Sequence, residues 1–149
     1  MSAALTHATD EHFARLDALV AAFHAEEGIT LSVEARHAGL QPLLDGIPHG
    51  AAYLIGPPRA PIGYVIVTFG WSVEFGGMDG FVDEIFVRPG VRGRGVAGEV
   101  LLSLPRALAA AGVKALHLEV AEDNEAAQRL YARSGFGLRK GYHLMTRKL

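Results

Sequence analysis

The segment from residue 81 to residue 120 most constrains the fold, because two strand-like stretches flank a helix-like one. Residues 81–87 and 114–120 are rich in β-branched and aromatic side chains, which is typical of strands. Residues 95–111 between them predict a helix. A strand–helix–strand unit places its two strands parallel, joined by a right-handed crossover. The centre of the sheet is therefore expected to be parallel.

The flanking sequence predicts antiparallel strands before this unit. Further elements are expected in this order: helices over 10–25 and 32–44, strands over 51–55 and 62–71, and after the central unit a helix over 124–134 and a closing strand over 142–147. Strands joined by turns as short as Gly76–Gly77 pair antiparallel. Pro42 and Pro105 fall inside predicted helices, where a break or a kink is expected. The fold class is mixed α/β, antiparallel in its first part and parallel at its centre.

Length and composition favour one compact domain over residues 1–149. Fourteen Lys and Arg against sixteen Asp and Glu give a formal net charge of −2, which argues against a nucleic-acid or membrane-surface partner. The chain has no cysteine, so thiolate metal sites and a cysteine nucleophile are excluded. Its seven histidines lack metal-ligand spacing, and we expect no metal. Without an apolar run that could span a bilayer or a secretory signal, a cytoplasmic location is expected.

A glycine- and arginine-rich turn follows the first strand of the central unit and is the densest motif of the chain. It reads Val87-Arg-Pro-Gly-Val-Arg-Gly-Arg-Gly-Val-Ala-Gly98. Glycines allow a tight turn, and the first N–H groups of the next helix point at whatever lies in front of them. Together with the helix dipole and the side chains of Arg92 and Arg94, this predicts an anion site.

Two kinds of ligand fit such a turn. Gly93-x-Gly95-x-x-Gly98 matches the dinucleotide fingerprint, and Glu119 lies where a ribose-binding acid would stand. The fingerprint turn should, however, directly follow its strand, and here five residues intervene after Val87. Only 51 residues remain beyond Gly98, too few for a second half, so a dinucleotide-binding protein is a remote alternative.

The second interpretation aligns residues 92–97 with the pattern [RQ]-x-x-G-x-[GA]. With the preceding strand 82–87, the segment Leu116–Val120 and the later pattern Asn124-x-x-Ala-x-x-Leu-Tyr131-x-x-x-Gly-Phe136, it resembles the GNAT superfamily of N-acetyltransferases. The ordered match covers residues 62–136. The resemblance implies a mixed sheet of about six to seven strands, splayed at its parallel centre and flanked by about four helices.

The resemblance also implies acetyl-coenzyme A as cosubstrate and a set of residues that bind it. The diphosphate would be held by the turn: Arg92, Gly93, Arg94, Gly95, Val96, Ala97 and Gly98. Pantetheine would pair with the backbone of Phe86 and Val87 like an added strand. Asn124 would contact the pantetheine arm, and it is equally well placed to cap its helix.

Asp83 and Glu84 are the candidates for the base that removes a proton from the amine. Carboxylates inside an apolar strand are expensive to bury without a partner or a function. Regular alternation places Glu84 with Val82 and Phe86 and places Asp83 on the opposite face, so only one faces the gap unless a bulge intervenes. We favour Glu84, acting directly or through water, with Asp83 as the alternative base. An ion pair with Lys or Arg neighbours would be the structural explanation.

Tyr131 matches the family's helix tyrosine, and the resemblance implies that it protonates the leaving thiolate, with Phe136 packing beyond. A neutral phenol can donate at pH 7. The resemblance likewise implies that a backbone N–H of strand 81–87 meets the developing oxyanion. From spacing alone, a core aromatic whose hydroxyl reaches the surface is the preferred explanation of Tyr131.

The substrate is the least defined part of the prediction. Acidic side chains at Glu26, Glu27 and Glu74 could attract a cationic amine, and Trp71 could cover its carbon chain. The loop 71–77 loosely resembles the diamine and polyamine branch of the superfamily. We predict an N-acetyltransferase acting on a primary amine of a small molecule, with direct transfer in a ternary complex. Acetylation of a protein or peptide and a non-catalytic acyl-coenzyme A sensor remain alternatives, and a homodimer is an open option.

Overall fold

A computed structural model describes residues 3–149, which form two compact units, one over residues 3–119 and the other over Val120–Leu149. The first unit contains, in order, β1 (Leu5–His7), α1 (Phe13–Glu27), α2 (Val33–Leu44), β2 (Gly50–Ile55), β3 (Gly63–Ser72), β4 (Gly77–Val87), α3 (Val96–Ala110) and β5 (Ala115–Leu118). The second unit contains α4 (Glu125–Arg133). The alternation of strands and helices confirms the mixed α/β class.

The first unit is built on one five-stranded sheet in the order β1-β2-β3-β4-β5. The first four strands pair antiparallel, and β4 pairs with β5 in parallel. The expected change from antiparallel to parallel is therefore confirmed. β1 was not predicted, because three residues are too short to show an alternating pattern.

The predicted number of strands is wrong: the sheet in residues 3–149 has five strands, not six to seven. The expected closing strand over 142–147 is not a strand in the described chain. Leu144 and Met145 are neighbours, yet they are 70% and 92% exposed. A half-buried strand would bury one of two successive side chains, so the apolar content of this segment does not define a buried face.

Two apolar clusters cover opposite faces of the sheet. Val65 and Val67 of β3 pack with side chains of α3, such as Val100 and Leu104. Tyr64 and Ile66, which alternate with these valines, belong to the cluster of α1 and α2 that contains Leu16, Val20, Leu40 and Leu44. Because alternate strand residues face opposite sides, α3 lies on one face and the first two helices lie on the other.

The helix ends follow from local signals. Gly28 ends α1 in the left-handed region at φ 70°, and the Ser32 hydroxyl caps α2 by accepting a hydrogen bond from the Ala35 N–H at 3.0 Å. Both α2 and α3 continue past their prolines, Pro42 and Pro105. The expected break at Pro42 does not occur, since α2 continues to Leu44.

Candidate active site

A β-bulge at Asp83 defines the centre of the candidate site. Across the ladder between β3 and β4, Ile66 pairs with Glu84 and Val67 pairs with Val82, so Asp83 is the extra residue. Because β4 has one extra residue, the side chains before Asp83 face the opposite side of the sheet from the one that regular alternation predicts. Val82 therefore packs in the α3 cluster, and the prediction that Val82 and Glu84 share a face is wrong.

The central strands part at the same bulge. β4 pairs with β5 from Asp79 to Val82, opposite Ala115–Leu118, and β4 then continues to Val87. Beyond the bulge, the β5 side of β4 has no strand partner among residues 3–149. The splayed parallel centre that was expected is therefore present, and it opens at the two carboxylates.

Glu84 is held by two side chains from other elements. The Tyr64 hydroxyl donates to its Oε1 at 2.7 Å, and the His24 Nε2 lies 2.8 Å from its Oε2. The Glu84 side chain is 17% exposed and that of His24 is 11% exposed. His24 and Tyr64 are the functional candidates that sequence reasoning missed, since no local pattern links residues of α1 and β3 to this glutamate.

Burial and negative charge raise the pKa values of Tyr64 and Asp83, two of the ionisable neighbours of Glu84. Desolvation raises the pKa of the Tyr64 phenol far above its usual range, and the charge and hydrogen bond of Glu84 raise it further. Desolvation also raises the pKa of Asp83, followed by repulsion from Glu84 and Glu119, whereas His24 lowers it. Although Asp83 is an exposed residue, its carboxyl group is close enough to the protein and to two other carboxylates to retain protons more strongly.

The glycine-rich turn has the open geometry that an anion site requires. Gly93 and Gly95 adopt left-handed φ values of 77° and 76°, and a Cβ at either would meet nothing within 4 Å. α3 begins at Val96 directly after Gly95. The first N–H groups of this helix have no intrahelical acceptor, so the turn fits a diphosphate.

Arg92 anchors this turn to two other parts of the first unit. Its Nε donates to the Val87 carbonyl oxygen at 2.8 Å, and its guanidinium carbon lies 5.5 Å from the centre of the Phe86 ring. Its Nη2 donates to both carboxylate oxygens of Glu26, at 2.9 and 2.7 Å. Glu26, predicted to bind substrate, is thus brought to the predicted coenzyme turn.

The other predicted substrate residues are not gathered around Glu84. Trp71 and Glu74 lie at the turn between β3 and β4, where Trp71 pairs with Met78. Met78 and Glu84 are six residues apart along β4, a separation of roughly 20 Å in an extended strand. The turn is at the end of β4 away from the opening. Glu27 is exposed at the end of α1.

In the second unit, Asn124 caps α4 by accepting a hydrogen bond from the Ala127 N–H at 3.1 Å. Tyr131 and Phe136 form an edge-to-face ring pair with centroids 6.2 Å apart. The packing of these two rings on each other agrees with the expected neighbourhood. Their proposed functions depend on the family motif.

Several histidines contact carboxylates. His37 lies 3.1 Å from Asp17 and His117 lies 3.1 Å from Asp79, besides the His24 contact with Glu84. Over residues 3–149, no group of three or more His, Asp or Glu side chains could hold a metal ion. In the same part of the chain, no helix is long and apolar enough to cross a membrane.

Comparison with known proteins decides the family. The model of the acetyltransferase (GNAT) family matches residues 16–136, most of the chain. The chain belongs to the GNAT acetyltransferase family. As a GNAT enzyme, it uses acetyl-coenzyme A as acetyl donor, which confirms the expected cosubstrate. The family match therefore favours coenzyme A over a dinucleotide as the ligand of the glycine-rich turn.

Solved structures support the same fold. An integron cassette protein from the mobile metagenome of Cole Harbour Salt Marsh is 31% identical, with a TM-score of 0.83 over 97% of this chain and 90% of that one. A protein from Clostridium difficile 630 described as a possible acetyltransferase has a TM-score of 0.86 at 14% identity, over 100% and 99%. AAC(6')-Iy in complex with the bisubstrate analog CoA-S-monomethyl-acetylneamine has a TM-score of 0.79 at 18% identity, over 100% and 99%. No protein with a curated description matches the chain by sequence.

Proposed function

We propose that this GNAT enzyme acetylates a primary amine of a small molecule by direct transfer in a ternary complex. The observation that carries the proposal is the Glu84 carboxylate, held by Tyr64 and His24 beside the bulge where β4 leaves β5. Acetyl-coenzyme A supplies an acetyl group activated as a thioester. The residues of the chain must then bind the amine, remove its proton and protonate the departing thiolate.

Glu84 is our proposed base. A primary amine with a pKa near ~10 is mostly protonated at pH 7 and must lose a proton before it can attack. Each Glu84 oxygen accepts one hydrogen bond within the chain, and a carboxylate oxygen can accept two. One acceptor position per oxygen is therefore left for the amine or for a bridging water. Asp83, one residue away at the bulge, is the alternative base.

Tyr131 is our proposed acid. The family motif in α4 supports this role, and a neutral phenol can supply the proton that the thiolate requires. Because Tyr131 belongs to the second unit, its assignment depends on the motif and the chemistry alone.

Coenzyme binding is assigned to the turn and the end of β4. Gly93 and Gly95 leave room for the diphosphate, Arg94 adds positive charge, and the first N–H groups of α3 would donate to it. Arg92, whose guanidinium pairs with Glu26, would order the turn. The backbone of Phe86 and Val87 would pair with pantetheine, and Asn124 would contact its arm. The family model spans residues 16–136 and so includes parts of both units, which supports treating the chain as one catalytic domain.

A cationic small molecule is the acceptor that the charges favour. Asp83, Glu84 and Glu119 are close enough for their charges to interact at the opening between β4 and β5, and such a region attracts ammonium groups. A protein of the same fold, AAC(6')-Iy, has been seen with an acetylneamine analog, so aminoglycosides belong among the candidates. Glu26 and Glu27 remain proposed substrate contacts, whereas the position of Trp71 and Glu74 at the far end of β4 does not favour that role.

The test is acetyl transfer across a panel of polyamines, amino acids, aminoglycosides and peptide N-termini. With the best acceptor, we expect Glu84→Gln and Tyr131→Phe each to lower kcat by about 100-fold or more, the usual scale for acid–base groups. Coenzyme A affinity, measured by calorimetry, should stay within twofold. Glu34→Gln and Tyr142→Phe, at exposed positions, are the matched controls.

The same experiment can contradict each part of the proposal separately. Wild-type kcat in both Glu84→Gln and Tyr131→Phe would remove the catalytic assignment. A larger loss in Asp83→Asn than in Glu84→Gln would move the base to Asp83. Transfer to peptides alone would favour a peptide acetyltransferase, and coenzyme binding with no transfer to any acceptor would favour a sensor.

A further inference from the structure

His24 continues the buried stripe of α1 with a polar side chain. Leu16 and Val20 precede it at intervals of four residues, which places all three on one face of the helix. The two aliphatic residues are buried in the core between α1 and the sheet. A histidine in the next position of such a stripe lies where an apolar side chain would normally pack, and it therefore requires a polar partner.

Glu84 is that partner, and its chemistry determines the histidine tautomer. Oε2 lies 2.8 Å from Nε2, and an ionised carboxylate can only accept hydrogen bonds. Nε2 must therefore carry the hydrogen and donate it. The other ring nitrogen, Nδ1, is buried and has no hydrogen-bond partner among the described residues. Among the described residues, the ring therefore makes one hydrogen bond, the one with Glu84.

The two donors act on Glu84 from different elements. Tyr64 is completely buried and reaches Oε1 from the neighbouring strand, while His24 reaches Oε2 from the last turns of α1. A glutamate side chain has several rotamers, and a hydrogen bond to each oxygen restricts both its position and the orientation of the carboxylate plane. A base fixed in this way does not need to be ordered again in each reaction.

We propose that His24 is a positioning residue for acetyl transfer, which holds the Glu84 carboxylate in the orientation that accepts the amine proton. This inference rests on the proposed function of Glu84 as base. His24 takes no proton from the substrate. It donates its Nε2 hydrogen to Oε2 throughout, and the proton of the amine passes to Glu84 as the new amide bond forms.

Substitutions at His24 separate the hydrogen bond from the packing. Gln carries an amide N–H at nearly the same distance from the backbone as Nε2, whereas Met has a similar length and no donor. We expect His24→Met to lower kcat roughly tenfold, the scale of one hydrogen bond to a charged group, with coenzyme A affinity within twofold. His24→Gln should recover most of the rate. His49→Met, at an exposed histidine, is the control and should match the wild type.

A double-mutant cycle tests whether His24 acts through Glu84. In a Glu84→Gln background, His24→Met should cause no further loss of kcat, because the group that it positions is gone. Equal losses in both backgrounds, or equal losses in His24→Gln and His24→Met, would overturn the inference. If Glu84→Gln lowers kcat and His24→Met does not, only the role of His24 fails. If Glu84→Gln keeps the wild-type kcat, the base assignment fails, and this inference fails with it.

Discussion

At the scale of single residues, the two adjacent carboxylates of β4 differ in how the protein surrounds them. Glu84 accepts hydrogen bonds from Tyr64 and His24, so its charge is matched by donors. Asp83 stands at the bulge and is repelled by Glu84 and Glu119. Such repulsion is tolerated when the charges serve a ligand, which here would be a cationic amine.

Asp83→Asn should raise the thermal unfolding temperature at pH 7. The folded state raises the pKa of Asp83 above its unfolded value, so the folded protein holds this proton more strongly. Stability from this group is then fully present below the unfolded pKa, and it is lost as pH rises through the folded pKa. The advantage of the variant should vanish as the pH is lowered to about 4, near the ordinary aspartate pKa.

The measurement is differential scanning calorimetry of both proteins from pH 4 to pH 8. Asp45→Asn, at an exposed aspartate, serves as the matched control for loss of one carboxylate. A variant that is less stable than the wild type at pH 7, or a difference that grows toward pH 4, would contradict the assigned sign.

At the scale of elements, the site is made by how β4 pairs with its neighbours. The bulge at Asp83 separates a stretch that pairs with β5 from a stretch that continues alone to Val87. The other edge of this stretch is bound closely to β3, where Gly63 lies opposite Val87. This stretch of β4 is paired on the side of β3 and unpaired on the side of β5. An extended ligand can therefore pair with it on one side only.

Gly63→Ala should destabilise the sheet beside the site. A Cβ at this position would overlap the Phe86 carbonyl oxygen and lie 3.2 Å from the Val87 Cα. Both are backbone atoms, so relief requires β3 to move away from β4. We expect the free energy of unfolding, measured by urea titration, to fall by about 1–3 kcal/mol, as for other overpacked sites.

Gly39→Ala is the matched control for this substitution. A Cβ there meets nothing within 4 Å, and the position lies inside α2. Alanine is the better helix former, so stability should rise by up to about 1 kcal/mol. If both substitutions changed the free energy of unfolding equally, the close approach of β3 and β4 at Gly63 would not be the cause of the effect.

At the scale of the whole molecule, acetyl-coenzyme A should stabilise the protein against heat. A ligand that binds only the folded state at 100 times its Kd adds about 2.7 kcal/mol to the free energy of unfolding. We expect a clear increase in Tm with acetyl-coenzyme A and coenzyme A in a thermal-shift assay. Adenosine, which lacks the diphosphate, should give little change. A shift with NADH and none with coenzyme A would contradict the family assignment of the turn.

Two whole-molecule expectations remain predictions from sequence. The cytoplasmic location stays an expectation from the sequence, and the homodimer stays an option that the resemblance leaves open. Cell fractionation and light scattering would measure them directly.

The sequence by itself determined the order of the elements from α1 to α4, the glycine-rich turn and the family. These depend on local patterns: helical spacing in α1, left-handed glycines at 93 and 95, and motif residues close together along the chain. Even the position of the two carboxylates in a strand was predictable. The number of strands was not predictable, because the strand-like composition of 142–147 does not reveal that its apolar side chains stay exposed.

Only the tertiary structure decided what surrounds Glu84. His24 and Tyr64 are 60 and 20 residues away along the chain, and Arg92 meets Glu26 across 66 residues. The bulge at Asp83 also depends on the register between β3 and β4. Hydrogen bonds between distant residues form when whole elements pack, so the orientation of the proposed base follows from the packing of α1 on the sheet.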